Sequence, residues 1–132
     1  MLLIAAITSS LSSCKKDEDE GKLPNIAFNT SAGYTSSDVT VAKDSSLKIG
    51  IIASKAESND VLQKFTIVQS TITSTTVDST VYSEALSGSN GDNYSHDYSY
   101  KAPSSAAKQK LTFTVVNRDG LTNSVSLTVT VQ

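Results

Sequence analysis

A chain of 132 residues has room for one domain. Its 13 acidic and 11 basic residues leave a formal net charge of −2, without the basic stripe that a nucleic-acid binder needs. A single cysteine, Cys14, excludes an internal disulfide framework and any multi-cysteine metal site.

The chain opens with the apolar run MLLIAAI (1–7), continues with TSSLSS (8–13) and reaches Cys14. The apolar run is far too short to span a bilayer. Followed by small residues, it has the character of the hydrophobic region of a secretory signal, although it lacks the basic residue that usually opens one. Six charged side chains come next: Lys15, Lys16, Asp17, Glu18, Asp19 and Glu20. Such a block stays solvated and serves as a tether.

The tetrapeptide LSSC (11–14) resembles a bacterial lipobox, with Leu11 leading, Ser12 and Ser13 as the small residues, and Cys14 as the acceptor. The resemblance implies that the Cys14 thiol receives a diacylglycerol, that the signal is cut just before it, and that the new amino group is acylated. Sulfur is the nucleophile that forms the thioether, and small neighbours let a peptidase grip an extended backbone. The charged run Lys15 to Glu20 resembles the surface-export signal of lipoproteins of the Bacteroidota. That implies a lipid-anchored position in the outer membrane facing the medium, with a periplasm-facing anchor as the alternative. Two or more acyl chains hold a protein stably at a membrane where one holds it marginally. The organisation expected is a signal peptide over 1–13, a lipidated cysteine and charged tether over 14–22, and a folded domain over 23–132.

From residue 23 onward alternation replaces any sustained helical period. Serine and threonine, 23 and 15 in number, suit turns, exposed strand faces and strands. Short strands are expected in NIAF (25–28) and DVTVA (38–42). SLKIGIIAS (46–54) puts Leu47, Ile49, Ile51 and Ala53 on one face. SKAESNDVLQK (54–64) has room for a turn of helix, and the strand QKFTIVQ (63–69) follows with Phe65 and Ile67 inward. TVDSTVY (76–82) and NYSHDYSYK (93–101) add two more strands. KLTFTVVN (110–117) and NSVSLTVTV (123–131) form a hairpin across Asp119-Gly120, where glycine accepts the positive φ of a tight turn. Each half-wet sheet must bury its dry face against another. An all-β, antiparallel sandwich of about seven strands follows. The final hairpin, LTFTVVNRDGLTNSVSLTVTV, resembles the last two strands of immunoglobulin-like domains of the PKD and cadherin type found in Bacteroidota lipoproteins. The antibody-type disulfide and core tryptophan are missing.

Tyr94, His96, Tyr98 and Tyr100 alternate along one strand and share a face. One reading is an aromatic platform that stacks sugar rings with His96 as a polar handle; the other is a core face whose hydroxyls reach the rim. His96 is the only histidine, so no histidine cluster or dyad exists. SNGDN (89–93) and NRD (117–119) offer oxygen donors of the kind calcium prefers, but these are also ordinary turn formers, and no metal site is assigned. DST (78–80) resembles the motif that Bacteroidota O-glycosylate, which would put a glycan on Ser79. No nucleophile elbow or phosphate loop is present, and neither a catalytic residue nor a cofactor is expected. The expected role is a non-catalytic lipoprotein, held at the membrane by the lipid on Cys14, whose domain binds a glycan or an envelope protein. The alternative is a structural subunit or spacer of an envelope complex.

Overall fold

Alternation of polar and apolar side chains lays down eight strands in the computed structural model, which describes residues 21–132. Residues 1–13, Cys14 and the charged run Lys15 to Glu20 lie outside the described residues, and so does every expectation made for them. The strands are β1 (Asn25–Phe28), β2 (Val39–Val41), β3 (Ser46–Ser54), β4 (Leu62–Ile72), β5 (Thr76–Ala85), β6 (Asn93–Lys101), β7 (Ala107–Asn117) and β8 (Thr122–Val131). They form a three-stranded sheet, β1-β3-β6, and a five-stranded sheet, β2-β8-β7-β4-β5. The chain changes sheets at every connection except β4 to β5 and β7 to β8, which gives an immunoglobulin-like β-sandwich. All pairings are antiparallel except β2 with β8, which is parallel and departs from the all-antiparallel expectation.

Period-two burial decides the register. Ile49, Ile51 and Ala53 of β3 face Phe65 and Ile67 of β4, Leu111, Phe113 and Val115 of β7, and Leu127, Val129 and Val131 of β8. Slipping any one strand by a residue would turn this set to water. Phe28 meets Phe113 edge to face at 5.7 Å and closes the core beneath β1.

Two glycines are needed where they stand. Gly120 takes φ 81° in the β7–β8 turn, where Asn117 N–H donates to the Leu121 carbonyl at 3.0 Å. At Gly50 a Cβ would sit 2.6 Å from Cε1 of Tyr34, whose ring lies flat against β3 on the outer side of the small sheet.

The turn of helix for which 54–64 has room does not form. Lys55 is drawn to Asp92 at 2.8 Å, the Asp60 carboxylate accepts the Val61 N–H at 2.8 Å, and pairing of Leu62 with Asn117 starts β4 there. Among the described residues a 3₁₀ turn occurs instead at Gly88–Gly91, in a stretch read from sequence as a turn. Strands β4 and β5 run on to Ile72 and Ala85, longer than expected, and form a hairpin that carries an extra residue, Val81, opposite the Ile67/Val68 step.

The described chain begins at the end of the sandwich that holds the β3–β4 loop and the β7–β8 turn. Asn117 Nδ2 donates to the Lys22 carbonyl at 3.3 Å, and Asn123 Nδ2 donates to the Pro24 carbonyl at 2.9 Å. Asn117 is fully buried, and its amide also donates to Asp60 Oδ2 at 2.8 Å.

Candidate functional site

The row Tyr94, His96, Tyr98 and Tyr100 lies on the inner face of β6, opposite Ala53, Ile51, Ile49 and Leu47 of β3. Tyr94 and Tyr100 are 5% and 2% exposed, so their rings pack between the sheets; His96 and Tyr98 are half-buried. Tyr98 stands edge-on to Phe113 at 6.2 Å. The Tyr100 hydroxyl donates to Gln109 Oε1 at 2.5 Å, and Gln109 Nε2 donates to Thr71 Oγ1 at 3.3 Å. The hydroxyls thus tie one sheet to the other. Two of the four rings have no face turned to solvent on which a sugar could stack.

One flank of the sandwich lies between β5 and β6, an edge strand of each sheet. Here β5 contributes two residues that inspection of β6 alone does not reveal. The Glu84 carboxylate accepts hydrogen bonds from the Tyr82 hydroxyl at 2.8 Å and the Tyr94 hydroxyl at 2.5 Å, both on Oε2. The Tyr94 oxygen lies 3.2 Å from His96 Nδ1. Since the Tyr94 proton is committed to Glu84, its oxygen accepts the Nδ1 proton, and in the neutral ring Nε2 carries the lone pair. The His96 ring packs against Tyr82 at 4.4 Å with the planes tilted by 33°, and Phe65 floors the cluster at 5.1 Å from Tyr94 and 5.4 Å from His96.

The charges respond to this geometry. The Tyr94 and Tyr82 hydroxyls hold the Glu84 carboxyl below the usual carboxylate range. Burial, and then the bond to Glu84, push the Tyr94 phenol well above its ordinary value. Burial holds His96 below the ordinary imidazole value, against the pull of Glu84 and Asp97. At neutral pH the cluster is therefore an ionised carboxylate, two neutral phenols and a neutral imidazole. It works as a polar latch between the two edges. The Glu84 contribution depends on the distant pairing of β4 with β5, and the one local sign of it is the spacing of Tyr82 and Glu84 on one face.

The oxygen-rich loops are engaged in turn structure. Asp92 pairs with Lys55, and Asn117 Oδ1 accepts the N–H groups of Asp119 and Leu121 at 3.1 and 2.9 Å. Among the described residues no group of three or more His, Cys, Asp or Glu side chains is placed to hold a metal ion. Ser79 lies on β5 with an exposed side chain, flanked by exposed Asp78 and Thr80. On the outer side of the small sheet, the Tyr34 hydroxyl donates to Asp97 at 3.0 Å, and the Lys48 ammonium stands 4.6 Å over the Tyr34 ring. A shallow polar groove on the large sheet is lined by Asp38, Val39, Thr40, Lys108, Thr128 and Thr130.

No family model matches the chain, and no curated protein matches it in sequence. Solved structures share its shape. A superoxide reductase (neelaredoxin) from Ignicoccus hospitalis is similar with a TM-score of 0.55 and 9% identity, over 91% of this chain and 89% of that one. A point variant of the same protein gives 0.57 and 8%, over 89% and 86%. A mutant β-glucosidase from Listeria innocua in complex with laminaribiose gives 0.50 and 8%, over 80% of this chain and 16% of that one. At these identities the likeness is one of fold alone, and fold does not carry function.

Proposed function

We propose that the chain is a membrane-anchored, non-catalytic lipoprotein that presents one immunoglobulin-like domain at the cell surface and binds a partner there. The observation that carries this reading is the clamp on residues 22 and 24. Asn117 and Asn123 hold the backbone carbonyls of Lys22 and Pro24 at one end of the sandwich, directly after the charged run. The eight residues after Cys14, 15–22, reach at most about 28 Å when extended. A lipid on Cys14 would therefore keep that end near the membrane. The turns at 42–45, 73–75 and 102–106, at the far end, would face away from it.

A protein partner fits better than a glycan, because Tyr94 and Tyr100 spend their ring faces in the core. The carboxylates with the richest surroundings are already engaged: Glu84 by two phenols, and Asp60 by Val61 and Asn117. This supports a non-catalytic role. The second reading, a subunit of an envelope complex, is favoured by the long free edge of β5.

Growth of expressing cells with an alkyne-bearing fatty acid tests the anchor. The wild-type chain should take up the label and partition into detergent, and Cys14→Ala should do neither. Equal labelling of the two would refute the assignment of Cys14.

A further inference from the structure

We infer that β5 pairs edge to edge with β5 of a second copy of this chain. The four strands that end a sheet are not equivalent. Strands β1 and β2 have four and three residues, too short to template a partner. The outer face of β6 carries Asp97 and Lys101, and its flank is latched to Glu84. Strand β5 has ten residues and contains no Lys, Arg, Pro or Gly, the residues that usually blunt an edge or break a strand. Every residue from Thr76 to Val81 is exposed, on both faces. Val77 at 63% and Val81 at 39% are two of the four large apolar side chains exposed among the described residues. The small sheet does not cover them, so a row of unpaired backbone groups lies beside uncovered valines.

The occupant follows from what β5 can match. Its own sequence is close to self-complementary in antiparallel pairing about Ser79. In that register Val77 faces Val81 of the second copy and Asp78 faces Thr80, and the regular pairing ends at the Val81 bulge. Both apolar residues then find apolar partners, and no carboxylate faces a carboxylate. Glu84 falls outside this stretch, with its charge already shared by Tyr82 and Tyr94. Pairing about Asp78 would set two aspartates opposite each other, and pairing about Thr80 would set Val77 against Ser83. The two-fold axis therefore falls on Ser79, whose small side chain lets the strands approach. A strand pair of this length falls in the class below about 1,200 Å², which makes the contact weak and reversible. The pairing does not depend on lipidation, although a glycan on Ser79 would bar it.

A cysteine scan on the full chain carrying Cys14→Ala, made in a host without O-glycosylation, tests the pairing and its register. Ser79→Cys lies on the axis and should give a disulfide-linked dimer at least tenfold faster than a control, Ser126→Cys, on the outer face of β8. Val77→Cys and Val81→Cys should cross-link when mixed and remain monomeric alone. Sedimentation of the Cys14→Ala chain should show a dimer that grows with concentration up to about 1 mM. Val77→Lys should weaken that dimer at least tenfold while leaving the melting curve of the domain unchanged. A Ser79→Cys chain that links no faster than Ser126→Cys would overturn the inference. Sedimentation of Val77→Lys identical to that of its parent would do the same.

Discussion

The latch between the sheet edges makes a quantitative prediction. Glu84→Ala removes the acceptor of two phenols. The Tyr94 hydroxyl, on a residue 5% exposed, then keeps only the His96 contact in place of its charged partner. A hydrogen bond to a charged group contributes about 1.5–3 kcal/mol, and a buried hydroxyl left without its acceptor costs about 1–3 kcal/mol. The cluster sits on an open flank where water competes, so the lower half of the range applies, at about 2 kcal/mol. Tyr94→Phe leaves Glu84 with Tyr82 and water and should cost about 1 kcal/mol. In the double variant the buried hydroxyl is gone and only the half-buried Tyr82 hydroxyl, which water reaches, loses its acceptor, so the cost should be about 2 kcal/mol in place of the 3 that additivity demands. Urea unfolding of the four chains at pH 7 measures the coupling, about 1 kcal/mol, and the Glu84→Ala chain should melt roughly 8 °C lower. The coupling should vanish on acidification through the lowered folded value of Glu84, as its charge is lost. Strict additivity at pH 7 would refute the latch and leave the short Tyr94–Glu84 contact without energetic meaning.

Other expectations follow from the same structure. Gly50→Ala forces a Cβ to within 2.6 Å of the Tyr34 ring and 2.8 Å of Asn29 Cβ, and should cost about 1–3 kcal/mol in a denaturant melt, with the Asn29 clash remaining when Tyr34→Ala is added. Asn117→Ala leaves buried Asp60 and two turn N–H groups short of a partner, and should cost about 3 kcal/mol while exposing the backbone near Lys22 to faster hydrogen exchange. Stability should also be bounded on both sides of neutral pH. Glu84 and His96 are lowered on folding, so their contributions are complete above the ordinary values of 4.5 and 6.5 and fade as pH falls through the lowered ones. Tyr82, Tyr94, Tyr98 and Tyr100 are raised, so theirs are complete below the ordinary value of 10.0 and fade as pH rises. Melting across pH should show a plateau from about pH 7 to pH 9 with a decline on each side.

Three strands could be read from sequence at their observed bounds, 25–28, 46–54 and 93–101, and in the two longer ones apolar or aromatic residues recur every second position between clear turn formers. Strands β4 and β5 were harder. Their distal halves are rich in Ser and Thr, which suit a turn and an exposed strand equally, and the hairpin covers residues that a sequence reading leaves as loop. In 54–64 a single turn closed by the Asp60 N–H on the Glu57 carbonyl stands in place of a turn of helix, with Lys55 and Asp60 held by Asp92 and Asn117, partners that no local pattern announces. The four aromatic positions of β6 were visible as one face. Their interior orientation required the second sheet, and Glu84 and Tyr82 required the β4–β5 register with its bulge, which no propensity encodes.

The central claim is that the domain stands outside the cell on a lipid fixed to Cys14. Trypsin added to intact expressing cells tests it directly, because Lys15, Lys16 and Lys22 lie between Cys14 and the sandwich. The account predicts that trypsin releases the folded domain from wild-type cells into the medium. It also predicts that the Cys14→Ala chain is absent from the cell surface before any protease is added. Lipidated wild-type protein that resists trypsin until the outer membrane is breached would contradict surface display and make the charged run a tether alone.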